Sequence, residues 1–358
     1  MGALDGIRVL DLSQQLPGPY ATLLLAHLGA EVIKIEPPGG DAARELDERM
    51  FRAVNVGKRS LVLDLKSGGG RERLARLATG SDVLLEGFRP GTVERLGAGY
   101  ATISALRPDI VYCSLSGFGL EGPYRDVPGH DLNYLGIAGG ATERSESGEI
   151  GIPLVDLGSG TLAALAITSA LLERNTTGSG RYLDIAMLDT AVFWAGVKAP
   201  PPRGSEPAYL VAAAADGLSV SIAVIEDKFW RNLCACLGWS DWREDPALAT
   251  HELRRAHGEE IRTRLRAAIA TLPRERWLAA LWAADVPAAP VHTRVEVAGD
   301  PQVLARGLMP VASNGADAGA LPPIPAAPLP AALRSGGLAA APRLGQDTEK
   351  LLAELDQA

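Results

Sequence analysis

Cysteine is scarce: Cys113, Cys234 and Cys236 are the only three among 358 residues, and they form neither a C-x-x-C pair nor a zinc-ligand spacing. Reduced, chemically quiet thiols are expected, with no disulfide framework and no metal site. Basic residues are in deficit, 35 Lys and Arg against 43 Asp and Glu, for a net charge of −8. No basic cluster offsets that acidity, so a phosphate-backbone partner is not expected and nucleic-acid binding is excluded as a reading. No uninterrupted apolar run approaches the ~20 residues of a membrane span. The first residues, Met1-Gly-Ala-Leu-Asp5, lack a basic segment followed by an apolar core, so a cytoplasmic location without a secretory signal is expected. The dinucleotide fingerprint G-x-G-x-x-G is missing as well, since the first strand-to-helix turn reads Ser13-Gln-Gln-Leu-Pro-Gly-Pro19. A nicotinamide or flavin dinucleotide is therefore disfavoured.

What is present is a globular composition, 47% hydrophobic and 22% charged, in a chain long enough for two domains. Arg8 to Leu12 reads as a strand, Pro17 to Leu28 as a helix with proline near its start, and Glu31 to Ile35 as a second strand. Leu61 to Leu65, Val83 to Leu85, Ile110 to Cys113 and Arg181 to Ile185 continue the strands, with helical stretches from Arg71 to Ala78 and Thr102 to Leu106. Alternation of this kind predicts an α/β fold built on a Rossmann-like parallel sheet. Residues 1–185 are assigned to a large domain completed by about 325–358, and 216–300 to a smaller α/β domain. Pro-rich stretches at 186–215 and 301–324 read as the linkers. A short amphipathic helix is expected at Thr348 to Leu355.

The chemistry concentrates between Gly129 and Gly160. His130 lies in a glycine-flanked break before a helical run, so an imidazole and the Asp131 carboxylate stand at a helix N-terminus, where unpaired N–H groups favour negative charge. Asp156 follows in a second break, ahead of the apolar run Thr161 to Leu172. Two titratable groups at helix mouths suit proton transfer across a small substrate. An aspartate ahead of a helix also serves as an N-cap, and both readings stand for Asp131 and Asp156.

These stretches resemble the family III CoA-transferase superfamily (CaiB/BaiF type), and more closely its α-methylacyl-CoA racemase branch. The resemblance is carried by Gly6 to Leu12, Pro17-Gly-Pro19, Leu28 to Pro37, Asn55 to Lys66, Glu86-Gly-Phe-Arg-Pro-Gly91, Ser116-Gly-Phe-Gly119, the Gly129 to Tyr134 box, Leu172-Glu-Arg174, Gly178-Ser-Gly180 and Asp184 to Asp189, in shared order over about the first 190 residues. It implies an acyl-CoA substrate, no cofactor beyond the CoA moiety, and an interlocked homodimer whose C-terminal segment packs back on the large domain. By the same resemblance His130 and Asp156 match the two proton-transfer residues, the Asp131 backbone N–H an oxyanion donor, and Glu226 a carboxylate that approaches the histidine from the partner subunit. Lys34, Lys58, Arg59 and Arg89 fall in the CoA-binding motifs as candidate phosphate ligands.

Two alternatives remain open. In a CoA-transferase, which moves CoA between carboxylic acids through an aspartyl-CoA intermediate, the nucleophile is matched to Asp131; a non-catalytic CoA-binding homologue is the third reading. His130 favours the racemase, because two-base exchange needs an imidazole there and transfer does not. Relative to the racemase branch the loop Thr142 to Gly151 is shortened, the Glu206 to Asp216 segment lacks the usual aromatic and glycine pattern, and only four methionines are available to line an acyl tail.

Overall fold

The computed structural model describes residues 2–140, 151–197, 206–309, 325, 327–330, 332–333 and 336–357. The shortened loop at 142–150, most of the Pro-rich stretch 199–207 and the core of the return linker, 310–324, lie outside the described residues. The chain divides into two compact units, 1–198 with 327–358, and 199–326 inserted between them.

The first unit is built on a six-stranded sheet of β1 (Arg8–Asp11), β2 (Glu31–Glu36), β3 (Arg59–Val62), β4 (Val83–Glu86), β5 (Val111–Ser116) and β6 (Arg181–Ala186). The strand order is β3-β2-β1-β4-β5-β6 and every pair is parallel. Parallel strands buried on both faces need near-continuous apolar runs. Strands β4 and β5 are accordingly buried at every position. The order reverses between β1 and β4, and at such a point the loops leaving the strand ends diverge and open a crevice.

Helix Leu154–Thr177 packs across β5 and β6 and against helix Pro17–His27. Its 24 residues are long and apolar enough for a membrane span, which the search for unbroken apolar runs missed because Asp156 and small polar residues punctuate it. Ala163, Ala164, Ile167, Ala170 and Leu171 are buried in the core beside the sheet. Gly160 sets the close approach: a Cβ there would lie 2.6 Å from the Pro17 carbonyl oxygen and 2.9 Å from the Tyr20 ring.

The C-terminal segment closes the open edge of the sheet. Ser60 and Val62 of β3 donate their amides to Asp347 Oδ2 (2.9 Å) and Thr348 Oγ1 (3.1 Å), and helix Thr348–Gln357 buries Leu351 against the same side. An edge strand whose amides are already engaged cannot template pairing with another chain.

The second unit holds an antiparallel sheet of β7 (Ala208–Ala213), β8 (Ser219–Val224) and β9 (Ala288–Val291), in the order β7-β8-β9. Val220, Ile222 and Val224 point inward on alternate residues of β8 and pack on Trp230, Leu233, Ile261, Leu265 and Leu281 from the covering helices. Two elements fall inside the stretch 186–215 read as linker: helix Met187–Val197, which belongs to the first unit, and β7. Strand β7 escaped notice because its inward positions Ala208 and Ala212 are alanines, which carry little strand signal. Helical periodicity from His251 to Ala284 is broken into three helices, His251–Arg254, Gly258–Ile269 and Arg274–Ala283, the last entered at Pro273.

Gly160→Ala is expected to lower stability by ~1–3 kcal/mol, the range for overpacking against groups that cannot swing aside. The urea midpoint measures it, and Gly39→Ala, with open space around the added methyl, should leave that midpoint nearly unchanged.

Candidate active site

A cavity of about 370 Å³ opens at the point where the strand order reverses. Its walls come from the segment after β1 (Leu12, Gln14, Gln15, Pro17), the turn after β4 (Gly87 to Pro90), the end of β5 (Leu115 to Phe118) and the Val127 to His130 approach to helix Asp131–Ile137. Asp156 and Tyr134 complete it.

The β1 segment is held from beneath by buried ions. Asp11 Oδ2 meets Lys58 Nζ at 2.9 Å, Lys34 Nζ meets Asp41 Oδ2 at 2.8 Å, and all four side chains are fully buried. Lys58 also donates to the Pro19 carbonyl (2.8 Å) and Thr22 Oγ1 (2.7 Å), while Lys34 donates to the Ser13 carbonyl (2.9 Å). Burial alone would raise the Asp11 carboxyl. The charges of Lys58 and Lys34, with hydroxyls from Ser13 and Thr22, hold it well below the usual carboxylate range. Burial pulls the Lys58 ammonium down to about 8, against the opposing pull of Asp11. The cavity-facing Gln15 has a left-handed backbone, φ 63°, and its N–H is fixed by Asp41 Oδ1 at 3.0 Å.

Lys34 and Lys58 are therefore not phosphate ligands: interior aspartates have claimed both cations, and neither reaches solvent. Arg59 is excluded for a different reason. It opens β3, at the end of the sheet away from the cavity, and pairs with Glu31 (2.7 Å) and Glu354 (2.9 Å). Arg89 is the one candidate cation on the cavity wall. The sequence Arg89-Pro90-Gly91-Thr92 forms a tight turn closed by Thr92 N–H to the Arg89 carbonyl (3.0 Å), with proline second and glycine third at φ 79°. That is the chemistry of a type II turn. Arg89 is exposed and forms no ion pair among the described residues.

Helix Asp131–Ile137 starts at His130, an extended N-cap whose N–H donates to Asn133 Oδ1 at 2.9 Å. His130 and Asp156 line the same cavity. Asp156 is not in a break: it sits in the first turn of helix Leu154–Thr177, whose N-cap is Pro153. Burial first, and then the charge of Asp131, raise its carboxyl to about 7. Asp131 is differently engaged. Its Oδ1 accepts from the amides of Val155 (2.7 Å) and Asp156 (3.0 Å), and it does not line the cavity. In this structure the Asp131 carboxylate is tied to the two opening amides of the Asp156 helix. Glu226 belongs to the second unit, where it is the exposed N-cap of helix Asp227–Cys236.

The pattern of CoA-transferase family III matches residues 4–348. The chain belongs to CoA-transferase family III. A succinate–glutarate CoA-transferase of Agrobacterium fabrum is 33% identical, over 99% of this chain and 96% of its own. Human α-methylacyl-CoA racemase is 36% identical over 66% of this chain and 65% of its own. A CaiB/BaiF family protein from Brucella suis superimposes with a TM-score of 0.80 at 29% identity, covering 99% and 100% of the two chains. As a family III member the chain is an enzyme of the CoA-transferase and racemase superfamily.

Sequence reasoning passed over several cavity residues of this family III chain. Tyr134, quoted in the box but given no role, is buried with its ring edge-on to Phe118 at 5.1 Å. Burial and the neighbouring Asp156 push its hydroxyl up to about 12, so it is a donor at any ordinary pH. Its place three residues into a helix begun by a cavity histidine was the available signal. Arg125, which donates through Nε to the Leu120 carbonyl (2.9 Å), had none. A second cleft of about 490 Å³ runs over the ends of β2 and β3 and shares Leu12, Gln14 and Phe88 with the first. Lys66 is its exposed cation. Among the described residues no cluster of three metal-ligating side chains occurs.

The raised Asp156 carboxyl fixes a sign for the pH dependence of stability. The folded state keeps its proton up to about pH 7, whereas the unfolded chain releases it near 3.8. Between those values the folded state binds more protons, so this group makes stability fall as pH rises. Asp156→Asn should flatten that fall; urea midpoints at pH 5 and pH 8 that drop equally in both proteins would contradict it.

Proposed function

We propose that the protein epimerises the α-carbon of a 2-methylacyl-CoA thioester by two-base proton transfer. The observation that carries this reading is that His130 and Asp156 stand on the wall of one cavity, His130 as the N-cap of one helix and Asp156 in the opening turn of another. One group removes the α-proton, the electron pair moves onto the thioester oxygen as an enolate, and the other group returns a proton to the opposite face. A carboxyl near 7 supports the exchange of roles, since at neutral pH both its acid and its base forms are populated. The enolate oxygen needs donors, and the N–H of Asp131 is among the first amides of a helix, which have no acceptor within it. The shared sequence with human α-methylacyl-CoA racemase supports the choice.

The CoA chain is proposed to lie in the second cleft, with its thioester passing Leu12, Gln14 and Phe88 into the cavity, and Arg89 beside that passage taking a phosphate. Phosphate recognition suits a guanidinium held on a rigid turn.

CoA transfer is the second reading, favoured by relatives such as the succinyl-CoA:mesaconate CoA-transferase of Haloarcula hispanica, 36% identical over 88% of this chain. Asp131 would then be the nucleophile, as the resemblance to the transferases matches it. Its oxygen attacks the thioester carbonyl to give a mixed anhydride and CoA thiolate, which in turn attacks the aspartyl carbonyl, releasing the acid and leaving aspartyl-CoA.

His130→Ala and Asp156→Ala should each reduce epimerisation of one 2-methylacyl-CoA enantiomer by at least ~100-fold, the lower range for losing a placed acid or base. Chiral chromatography of the product acids measures it. Transfer predicts a hydroxylamine-trapped acyl group at Asp131 and substantial activity in His130→Ala. A non-catalytic homologue would bind CoA and do neither.

A homodimer is proposed with this function, with Glu226 approaching His130 of the other subunit. Phe193, Trp194 and Val197 of helix Met187–Val197 and Leu165 and Leu172 of helix Leu154–Thr177 are 44–73% exposed. Large side chains left bare in this way mark association surfaces. Sedimentation at micromolar concentration should give twice the chain mass of 37.5 kDa; a monomer would refute the dimer.

A further inference from the structure

Helix Leu154–Thr177 has no cap of its own. Its N-cap is Pro153, which has no side-chain acceptor, and its first residues are Leu154 and Val155. The opening amides of a helix need acceptors from elsewhere, and Ser, Thr, Asp or Asn usually provides one locally. Here the acceptor comes from 24 and 25 residues away in sequence: Asp131 Oδ1 receives Val155 N–H at 2.7 Å and Asp156 N–H at 3.0 Å. Asp131 is also the first residue of the helix for which His130 is the N-cap.

We propose that Asp131 is the positioning residue of this site, its carboxylate capping the helix that carries Asp156 and thereby locking Asp156 in place against His130. The proposal rests on the proton-transfer reading for its consequence in catalysis, but the cap itself does not. Two consequences separate. The hydrogen bonds fix where the Asp156 backbone stands, and the negative charge opposes ionisation of the Asp156 carboxyl, adding to burial. The other titratable or charged groups on the same cavity are His130, Tyr134, Arg89 and Arg125. None of them occupies the amides of the Asp156 helix, so the cap is specific to Asp131.

Asp131→Asn and Asp131→Ala distinguish the two consequences. Asparagine keeps an oxygen for both amides and removes the charge; alanine removes both. Carboxyl-¹³C aspartate NMR, with the Asp156 signal identified by its loss in Asp156→Asn, reads the titration directly. In Asp131→Asn the Asp156 signal should titrate at lower pH than in the unsubstituted protein, with the thermal midpoint nearly unchanged, and the limb of the α-proton exchange profile should move with it. In Asp131→Ala the thermal midpoint should fall by several degrees and the maximal exchange rate should fall further than in Asp131→Asn. A folded Asp131→Ala with the thermal midpoint and maximal exchange rate of Asp131→Asn would overturn the proposal. Should that variant not fold, amide hydrogen exchange in the unsubstituted protein decides: Val155 and Asp156 must be protected relative to Leu154, and equal exchange of all three overturns it. If no 2-methylacyl-CoA is exchanged at all, the racemase reading fails, while the thermal midpoints and the amide protection still judge the cap.

Discussion

Two buried ion pairs under the first strand-to-helix segment hold the site's frame. Asp11 with Lys58 and Lys34 with Asp41 are removed from water completely. Charges in that position are costly unless paired and fully hydrogen-bonded. Carbonyls of Ser13 and Pro19 and hydroxyls of Ser13 and Thr22 add hydrogen bonds to Asp11, Lys34 and Lys58, and Asp41 Oδ1 accepts from the Gln15 and Ala43 amides, while Asp41 Oδ2 keeps only its ion pair with Lys34. The result is a segment, Leu12 to Pro17, that stands as a rigid wall without the glycine-rich turn a dinucleotide fold would use. Removing either partner would leave an uncompensated interior charge, and the wall would lose its support.

How much of this was legible in the sequence depended on whether the deciding contact was local. The parallel sheet could be read because buried strands write continuous apolar runs, as in Val83 to Leu85, and because the intervening helices keep their own period. The turn at Arg89 could be read because proline and glycine fix its backbone within four residues. The placement of Lys34 and Lys58 could not. A lysine near a strand end looks the same whether a ligand or an interior aspartate holds it, and Asp11 lies 47 residues from Lys58. Strand β7 was lost to its alanines, and Arg59 was misjudged because its motif gave no indication of which end of the sheet it occupied.

The site follows the same rule. His130 announces itself, being a histidine at a glycine-flanked helix start. Asp156 was found, but as a residue before its helix rather than in its first turn, since Pro153 begins the helix without an ordinary cap. Asp131 carries both a nucleophile and a cap reading in the sequence, and its distances to the Val155 and Asp156 amides show the cap. Asp131, next to the histidine, accepts from the opening amides of the helix that carries Asp156.

The central claim is that this cavity moves protons at an α-carbon. One enantiomer of 2-methylbutanoyl-CoA, incubated with the enzyme in heavy water and no acceptor acid, tests it by mass spectrometry and chiral analysis of the acyl group. The account predicts deuterium at the α-carbon together with loss of configurational purity. Retention of both the original hydrogen and the original configuration, with an acyl group trapped on Asp131, would contradict it.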